Sequence, residues 1–171
     1  MTAAADPERS EDGRWIFVGG RRWRATDPSI PDSFRQELVD ELMAARRSVG
    51  AAGRGADSAA EAAARRRVQA TKTALGERGR AWWETPTSSS IRARLAAAIL
   101  ALAEHRAPDR TICPSDAARA VGGARWRSQM DLARDVVREL AAAGSVEVLQ
   151  KGVVIDATSA WRGPVRIRRR N

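Results

Sequence analysis

The fold of the second half of the chain is decided by residues 125–143, RWRSQMDLARDVVRELAAA. Large apolar residues return every three or four positions, which is the spacing of one helical face. They are Trp126, Met130, Ala133, Val137 and Leu140. Arginines and aspartates occupy the opposite side, and Gly144 follows as a residue that readily ends a helix. The stretch therefore predicts a long helix, 125–143, with one buried face.

The segments on either side of this helix predict a winged helix-turn-helix. A short helix, 114–121, precedes it across the turn Gly122-Gly123-Ala124. Residues 145–156, SVEVLQKGVVID, predict two short strands around a Lys-Gly turn, and 163–168 alternate as a last strand. A helix, a tight turn, a longer helix and a two-stranded wing form the layout of this DNA-binding motif.

The first half predicts a β-hairpin followed by a helical hairpin. Residues 14–24, RWIFVGGRRWR, place Gly19-Gly20 between two strand-like runs, which suits a two-residue turn. We expect the hairpin to bury one face, formed by Trp15, Phe17 and Trp23. The opposite face is expected to carry Arg14, Arg22 and Arg24. Helical spacing then predicts helices over 34–48 and 58–75, separated by the flexible stretch 50–55.

The predicted fold class is accordingly α+β and mainly helical. We expect a disordered tail over 1–13, a domain of the β-hairpin and the helical hairpin over 14–84, a linker (TPTSSS) over 85–90 and a winged-helix domain over 91–171. Trp82-Trp83 lies just before the linker, and we expect this pair to pack between the two halves.

The charge is uneven along the chain. The formal net charge is +9, and residues 91–171 hold 15 basic and 8 acidic side chains, against 15 and 13 in residues 1–90. Only Lys72 and Lys151 are lysines, so arginine dominates, as a GC-rich genome also favours. An excess of positive charge in the half with the helix-turn-helix layout favours a polyanionic partner.

No group of residues in the sequence predicts catalysis or a bound cofactor. His105 is the only histidine and Cys113 the only cysteine, so neither a histidine metal site nor an internal disulfide is expected. Neither a phosphate-binding loop nor a dinucleotide fingerprint is present. Cys113 precedes a helix, where a thiol can react with oxidants, but packing beside Pro114 is the expected role.

The sequence also predicts a cytoplasmic protein without membrane segments. The polar, acidic residues 1–14 do not resemble a signal peptide, and the longest apolar run, 95–103, is far shorter than a bilayer requires. No feature specifies an oligomeric state.

The candidate DNA-binding residues are those that a winged helix would present to a duplex. Arginine, glutamine and serine are suited to base edges and phosphates in the first turns of a recognition helix. These candidates are Arg125, Arg127, Ser128, Gln129 and Arg134. Further phosphate contacts are expected from Lys151 at the wing tip and from the last strand, namely Arg166, Arg168, Arg169 and Arg170.

Two other partners remain open at this stage. A winged helix also serves as a docking scaffold, so an acidic protein partner is the alternative to double-stranded DNA. Single-stranded RNA binding through the aromatic residues of the hairpin is a third hypothesis.

Two resemblances accompany these patterns. From Ile91 onward, over residues 91–170, the chain resembles a small bacterial family known as a domain of unknown function. The stretches that carry the resemblance are 112–123 (ICPSDAARAVGG), 126–156 and 162–169 (RGPVRIRR). That resemblance implies a winged-helix-like fold and no established activity. Residues 21–49, continued by 74–84 (ALGERGRAWWE), resemble short proteins labelled Tol-type biopolymer transporters.

Overall fold

The computed structural model describes residues 7–158 and 161–170. Its helices are α1 (Asp32–Arg54), α2 (Ser58–Ala74), α3 (Ser88–Arg106), α4 (Pro114–Gly122) and α5 (Met130–Ala142), and a 3-10 segment (Gly123–Gln129) joins α4 to α5. Its strands are β1 (Glu8–Arg9), β2 (Trp15–Val18), β3 (Arg21–Arg24), β4 (Val146–Gln150), β5 (Val153–Val154) and β6 (Arg166–Arg169). They form two antiparallel sheets, ordered β1-β2-β3 and β5-β4-β6. The mainly helical α+β class is confirmed.

The predicted N-terminal hairpin is present and carries a third strand. Gly19 and Gly20 both have positive φ, +57° and +71°, which lets β2 turn directly into β3. Residues 8 and 9, expected to belong to a disordered tail, instead pair with β2, Glu8 lying opposite Phe17. Residues 1–6 of that expected tail lie outside the described residues.

The prediction of one buried aromatic face on this hairpin is wrong. Directly paired residues share a side of a sheet, and Trp15 pairs with Arg24 whereas Trp23 pairs with Ile16. Trp15 and Trp23 therefore lie on opposite sides. Phe17 and Trp23 are 39% and 44% exposed, because the small sheet rests against the Trp82-Trp83 segment and does not cover a core of its own.

The helical hairpin is formed by α1 and α2, with a shorter break than expected. α1 continues through most of residues 50–55 and ends at Arg54, since Gly50 and Gly53 lie among alanines and do not adopt positive φ. Asp57 then caps α2 by accepting a hydrogen bond from the Ala60 amide at 2.9 Å.

α3 begins inside the segment expected to be a linker. Thr87 accepts a hydrogen bond from the Ser90 amide, and the Ser90 hydroxyl accepts one from the Thr87 amide, at 3.1 and 2.9 Å. This reciprocal cap satisfies two free amides at the start of the helix. Residues 88–90 are consequently helical, while the division of the chain into two domains stays a prediction.

One hydrophobic core includes residues from both sides of that segment. Phe34 and Leu38 of α1 belong to the same buried cluster as Leu95 and Leu102 of α3 and Val137 of α5. Alanines fill much of α3, so neighbouring helices approach it closely. None of the described helices combines the length and the apolar character needed to cross a bilayer.

A network of ion pairs crosses this core between α1, α2, α3 and β6. Arg67 donates two hydrogen bonds to the buried Glu41, at 2.8 and 3.1 Å, and lies 3.4 Å from Glu104. Arg169 donates to the same Glu104 at 2.9 Å. Burial raises the pKa of the Glu41 carboxyl, although the hydrogen bonds from Arg67 act in the opposite direction. Arg67 is therefore half-buried in this network, whereas its neighbours Arg65 and Arg66 are exposed.

The long helix predicted over 125–143 starts later than expected. Its first residues belong to the 3-10 segment, and α5 begins at Met130. Gly123 has a φ of +50°, and Arg125, at φ −95° and ψ +16°, interrupts the helical geometry. The two glycines thus allow a tight turn that the following residues complete in 3-10 form.

The predicted strands after α5 are all present. Lys151 and Gly152 have φ values of +51° and +82°, which form the tight turn between β4 and β5. β6 pairs with the other side of β4, placing Ile167 opposite Val148. Ile112 bridges to Ile167 and attaches the start of α4 to this sheet.

Candidate nucleic-acid interface

The 3-10 segment places four of the predicted residues at the surface. Arg125, Arg127 and Ser128 are exposed, and none of the seven residues of the segment is buried. The Ser128 hydroxyl donates to the Arg125 carbonyl at 2.8 Å, and the Gln129 amide lies 3.4 Å from that hydroxyl. Within the described part of the chain, the Arg125 and Arg127 guanidiniums have no carboxylate partner. Their charge is available to a ligand.

Trp126 holds two arginines beside this segment. The guanidiniums of Arg127 and of Arg119, in α4, each lie 4.7 Å from the centre of the Trp126 ring. The ring is half-buried against the core, so it forms a fixed platform for both cations. Contacts of this kind stabilise by about 0.5–1 kcal/mol at exposed sites and leave the guanidinium N–H groups free. Arg119 was not among the predicted residues, because its position beside Trp126 depends on the turn between α4 and the 3-10 segment.

A second tryptophan holds two arginines along α5. Arg134 and Arg138 lie 5.9 and 4.4 Å from the centre of the buried Trp161 ring. Arg134 lies in α5, seven residues after Arg127 of the 3-10 segment. It donates to the Gly163 carbonyl at 3.0 Å, and Arg138 pairs with Asp135 at 2.8 Å. Arg134 therefore has no carboxylate partner in the described chain, whereas Arg138 is paired with Asp135.

The turn between β4 and β5 lies beside the loop that carries Gly163. Gln150 donates to the Arg162 carbonyl at 2.6 Å and is 3.4 Å from the Pro164 carbonyl. These bonds tie the end of β4 to the loop that Arg134 also contacts. Lys151 and Arg162 are exposed, and neither side chain has a carboxylate partner among residues 7–158 and 161–170. We use the name basic surface for the resulting set: Arg119, Arg125, Arg127, Arg134, Lys151 and Arg162.

The arginines of the last strand have partners within the protein. Arg168 pairs with Glu147 at 2.7 Å, and Arg169 pairs with Glu104 and also donates to the Ser145 carbonyl. Arg166 donates to the side chain and carbonyl of Thr111, at 2.8 and 3.0 Å. Arg170 is exposed and has no carboxylate partner in the described chain. The predicted set therefore divides into arginines that tie β6 to its neighbours and arginines open to a ligand.

Acidic residues reduce the positive charge along one part of this side. Asp131, in the first turn of α5, is exposed, and Asp135 neutralises Arg138. Exposed basic residues without a carboxylate partner in the described chain consequently lie in the 3-10 segment (Arg125 and Arg127) and at the turn between β4 and β5 (Lys151).

A groove of about 540 Å³ borders the 3-10 segment on its other side. Arg125, Ser128 and Gln129 contribute to its wall, and Trp82 and Arg94 line it from the first half of the chain. Arg94 pairs there with the buried Asp27 at 2.7 Å. Three of the predicted residues thus lie where the two halves of the protein meet.

The two residues with reactive side chains lie away from this surface. Cys113 precedes α4, and its amide donates to Asp116 at 2.9 Å in the cap of that helix. His105 lies in the last turn of α3 and borders a small polar cleft with Glu37 and Arg110. Within the described residues, no group of three or more histidine, cysteine or acidic side chains could hold a metal ion.

A known protein family matches the second half of the chain. Residues 92–170 match the family described as Protein of unknown function (DUF3253). The resemblance stated for residues 91–170 is thereby confirmed for a domain-of-unknown-function family, and the match includes every residue of the basic surface. No curated protein matches the chain.

Proposed function

We propose that the protein binds double-stranded DNA through the basic surface, as a cytoplasmic regulatory protein without enzymatic activity. The observation that carries this proposal is the contrast between two groups of arginines. Arg168 and Arg169 are neutralised by glutamates, whereas Arg125 and Arg127 have no such partner in the described chain. Exposed guanidiniums held on an aromatic ring suit phosphate oxygens and guanine edges.

The order of elements supports a winged-helix reading of this surface. α3, α4 and α5 are followed by the β5-β4-β6 sheet, and the Lys151 turn projects between β4 and β5. In this interpretation the 3-10 segment and α5 enter the major groove, while Lys151 and Arg162 contact the flanking phosphates. Ser128 and Gln129 then lie closest to the base edges.

Charge reversal provides the test. The double variant R125E/R127E is compared with R47E/R66E, which reverses two exposed arginines of α1 and α2 and causes the same change in net charge. Fluorescence anisotropy with a labelled 20-base-pair duplex should show at least tenfold weaker binding for R125E/R127E and a change within about twofold for R47E/R66E. Equal weakening in both variants would show that only net charge matters. No binding by the wild-type protein at low salt would refute the proposal.

Docking of an acidic protein is the second candidate function, and one observation favours it. Val153 and Val154 are 67% and 49% exposed on β5, the outer strand of its sheet. Exposed apolar residues on a sheet edge commonly mark a protein contact. A stoichiometric partner that survives nuclease treatment, binds wild-type protein and is lost with V153E/V154E would support this function over DNA binding.

A further inference from the structure

The N-terminal sheet carries aromatic and arginine side chains alternately on one side. In the antiparallel register, Phe17 lies opposite Arg22, and Trp15 lies opposite Arg24. Because directly paired residues point to the same side, these four side chains share one surface. We call this the aromatic–arginine face of the hairpin.

Three side chains of this face, those of Trp15, Arg22 and Arg24, stack on one another or on Trp83. The Arg22 guanidinium lies 4.3 Å from the centre of the Trp15 ring, and Trp15 lies 5.4 Å from Trp83 in an edge-to-face contact. Arg24 lies 5.6 Å from the Trp83 ring. Trp82 fixes the group by donating from its indole N–H to the Ala25 carbonyl at 3.0 Å. The rings are therefore held in place at the protein surface.

This face is open to solvent at its outer end. Phe17, near the turn, is 39% exposed. Arg22, which pairs with Phe17, is also exposed and has no carboxylate partner within the described residues. Because Phe17 and Trp23 are exposed, core packing does not explain why the hairpin is rich in aromatic residues.

The charge around the exposed rings indicates the chemistry of a partner. Residues 14–24 contain four arginines and no acidic residue. Two acidic residues precede this stretch: Glu8, which pairs with Phe17 and so lies on the same side of the sheet, and Asp12, at 3.7 Å from Arg14. A partner that fits must carry repeated negative charge together with flat rings that can stack. Nucleic acid has both, and only unpaired bases expose their faces.

We propose that the aromatic–arginine face binds single-stranded nucleic acid, with a base stacked on Phe17 and a phosphate on Arg22. The Trp15-Trp83 pair extends the stacking surface toward the interior of the protein. This site is separate from the basic surface and does not depend on duplex binding there.

The test uses the full-length protein and labelled dT20 and rU20 oligonucleotides. R22E should weaken binding of the preferred oligonucleotide at least fivefold, whereas R66E, which causes the same charge change at an exposed arginine of α2, should stay within about twofold of wild type. The ratio of the dT20 and rU20 affinities distinguishes a DNA strand from an RNA strand. Unchanged affinity of R22E for both oligonucleotides would overturn the proposal.

Phe17→Leu separates stacking from simple charge attraction. Leucine retains an apolar side chain at this exposed position but removes the ring, so affinity should fall about fivefold or more while the salt dependence stays that of wild type. Equal binding by F17L and wild type would overturn the stacking site. Circular dichroism verifies that each variant is folded.

Two comparisons keep this proposal independent of the duplex proposal. R125E/R127E should retain dT20 binding, and R22E should retain duplex binding. If R125E/R127E loses dT20 binding while R22E keeps it, single strands bind to the basic surface and the proposal for the hairpin is wrong.

Discussion

At the residue scale, Arg106 shows how arginine supports this fold as well as its candidate surfaces. Its guanidinium donates two hydrogen bonds to Glu37 of α1, at 2.7 and 2.8 Å, and one to Asp116 of α4 at 2.9 Å. Three helices are therefore joined at the end of α3. The forked guanidinium suits this role because it donates in several directions at once.

The Glu37–Arg106 pair makes a prediction about pH. The hydrogen bonds from Arg106 lower the pKa of Glu37 in the folded protein. Its ionised form therefore stabilises the fold fully above the unfolded-state pKa, about 4.5, and this contribution is lost as the pH falls through the lower folded-state pKa. Glu37→Gln should reduce the free energy of unfolding at pH 7 by about 1–3 kcal/mol. Urea unfolding at a series of pH values from 7 to 3.5 should show this difference shrinking at the acid end.

Glu61→Gln serves as the control for that experiment. Glu61 pairs with Arg65 four residues along the surface of α2, and the Arg65 side chain is 67% exposed. Its loss should cost about 0.5 kcal/mol or less. A Glu37→Gln effect that stays constant over the whole pH range would contradict the assignment of its stabilising role to the ionised carboxylate.

At the element scale, the 3-10 segment depends on a contact with the other half of the protein. Gly123 has a φ of +50° and a ψ of −126°, and a Cβ placed there would lie 3.0 Å from the Ser29 carbonyl oxygen. Glycine is thus required both by the backbone and by the close approach of the loop before α1. The start of the candidate recognition element is set by this packing.

Gly123→Ala should therefore destabilise the protein by about 2 kcal/mol. Gly53→Ala is the matched control, because Gly53 lies within α1 and an added Cβ would meet nothing within 4 Å. That change should be neutral or stabilising by up to about 1 kcal/mol. Chemical unfolding of both variants gives the comparison, and a Gly123→Ala protein as stable as Gly53→Ala would show that the turn tolerates a side chain.

The same element shows what sequence alone predicts. Periodicity identified the helices and strands because it reflects which face of each element is buried. It failed at residues 125–129, where Trp126 continues the helical spacing of α5 although the backbone is 3-10. The positive φ of Gly123 and its close approach to Ser29, which is distant in sequence, precede this stretch and cannot be recognised from the spacing. The candidate residues Arg125 and Arg127 were correctly expected at the surface, but the stacking of Arg119 on Trp126 required the turn.

At the scale of the whole molecule, the two halves share one hydrophobic core. Leu38 and Leu95 belong to the same buried cluster, and the Glu41–Arg67–Glu104–Arg169 network links helices of the first half with β6 at the end of the chain. Breaking the chain at residues 85–90 into independent parts would expose much of this apolar surface.

We therefore expect the protein to unfold in one cooperative transition. Differential scanning calorimetry should give a single peak whose calorimetric and van't Hoff enthalpies agree. Circular dichroism and tryptophan fluorescence should report the same midpoint in urea. Two separate transitions would instead support the two independent domains that the sequence predicted.

The central claim, that Arg125 and Arg127 contact phosphates of a duplex, is tested most directly by salt dependence. Each phosphate contact that is lost should reduce the slope of log K against log salt concentration by about 0.9. With a labelled 20-base-pair duplex, R125A/R127A should have a slope shallower than wild type by about two, while R47A/R66A keeps the wild-type slope. Equal slopes for R125A/R127A and wild type would contradict the claim.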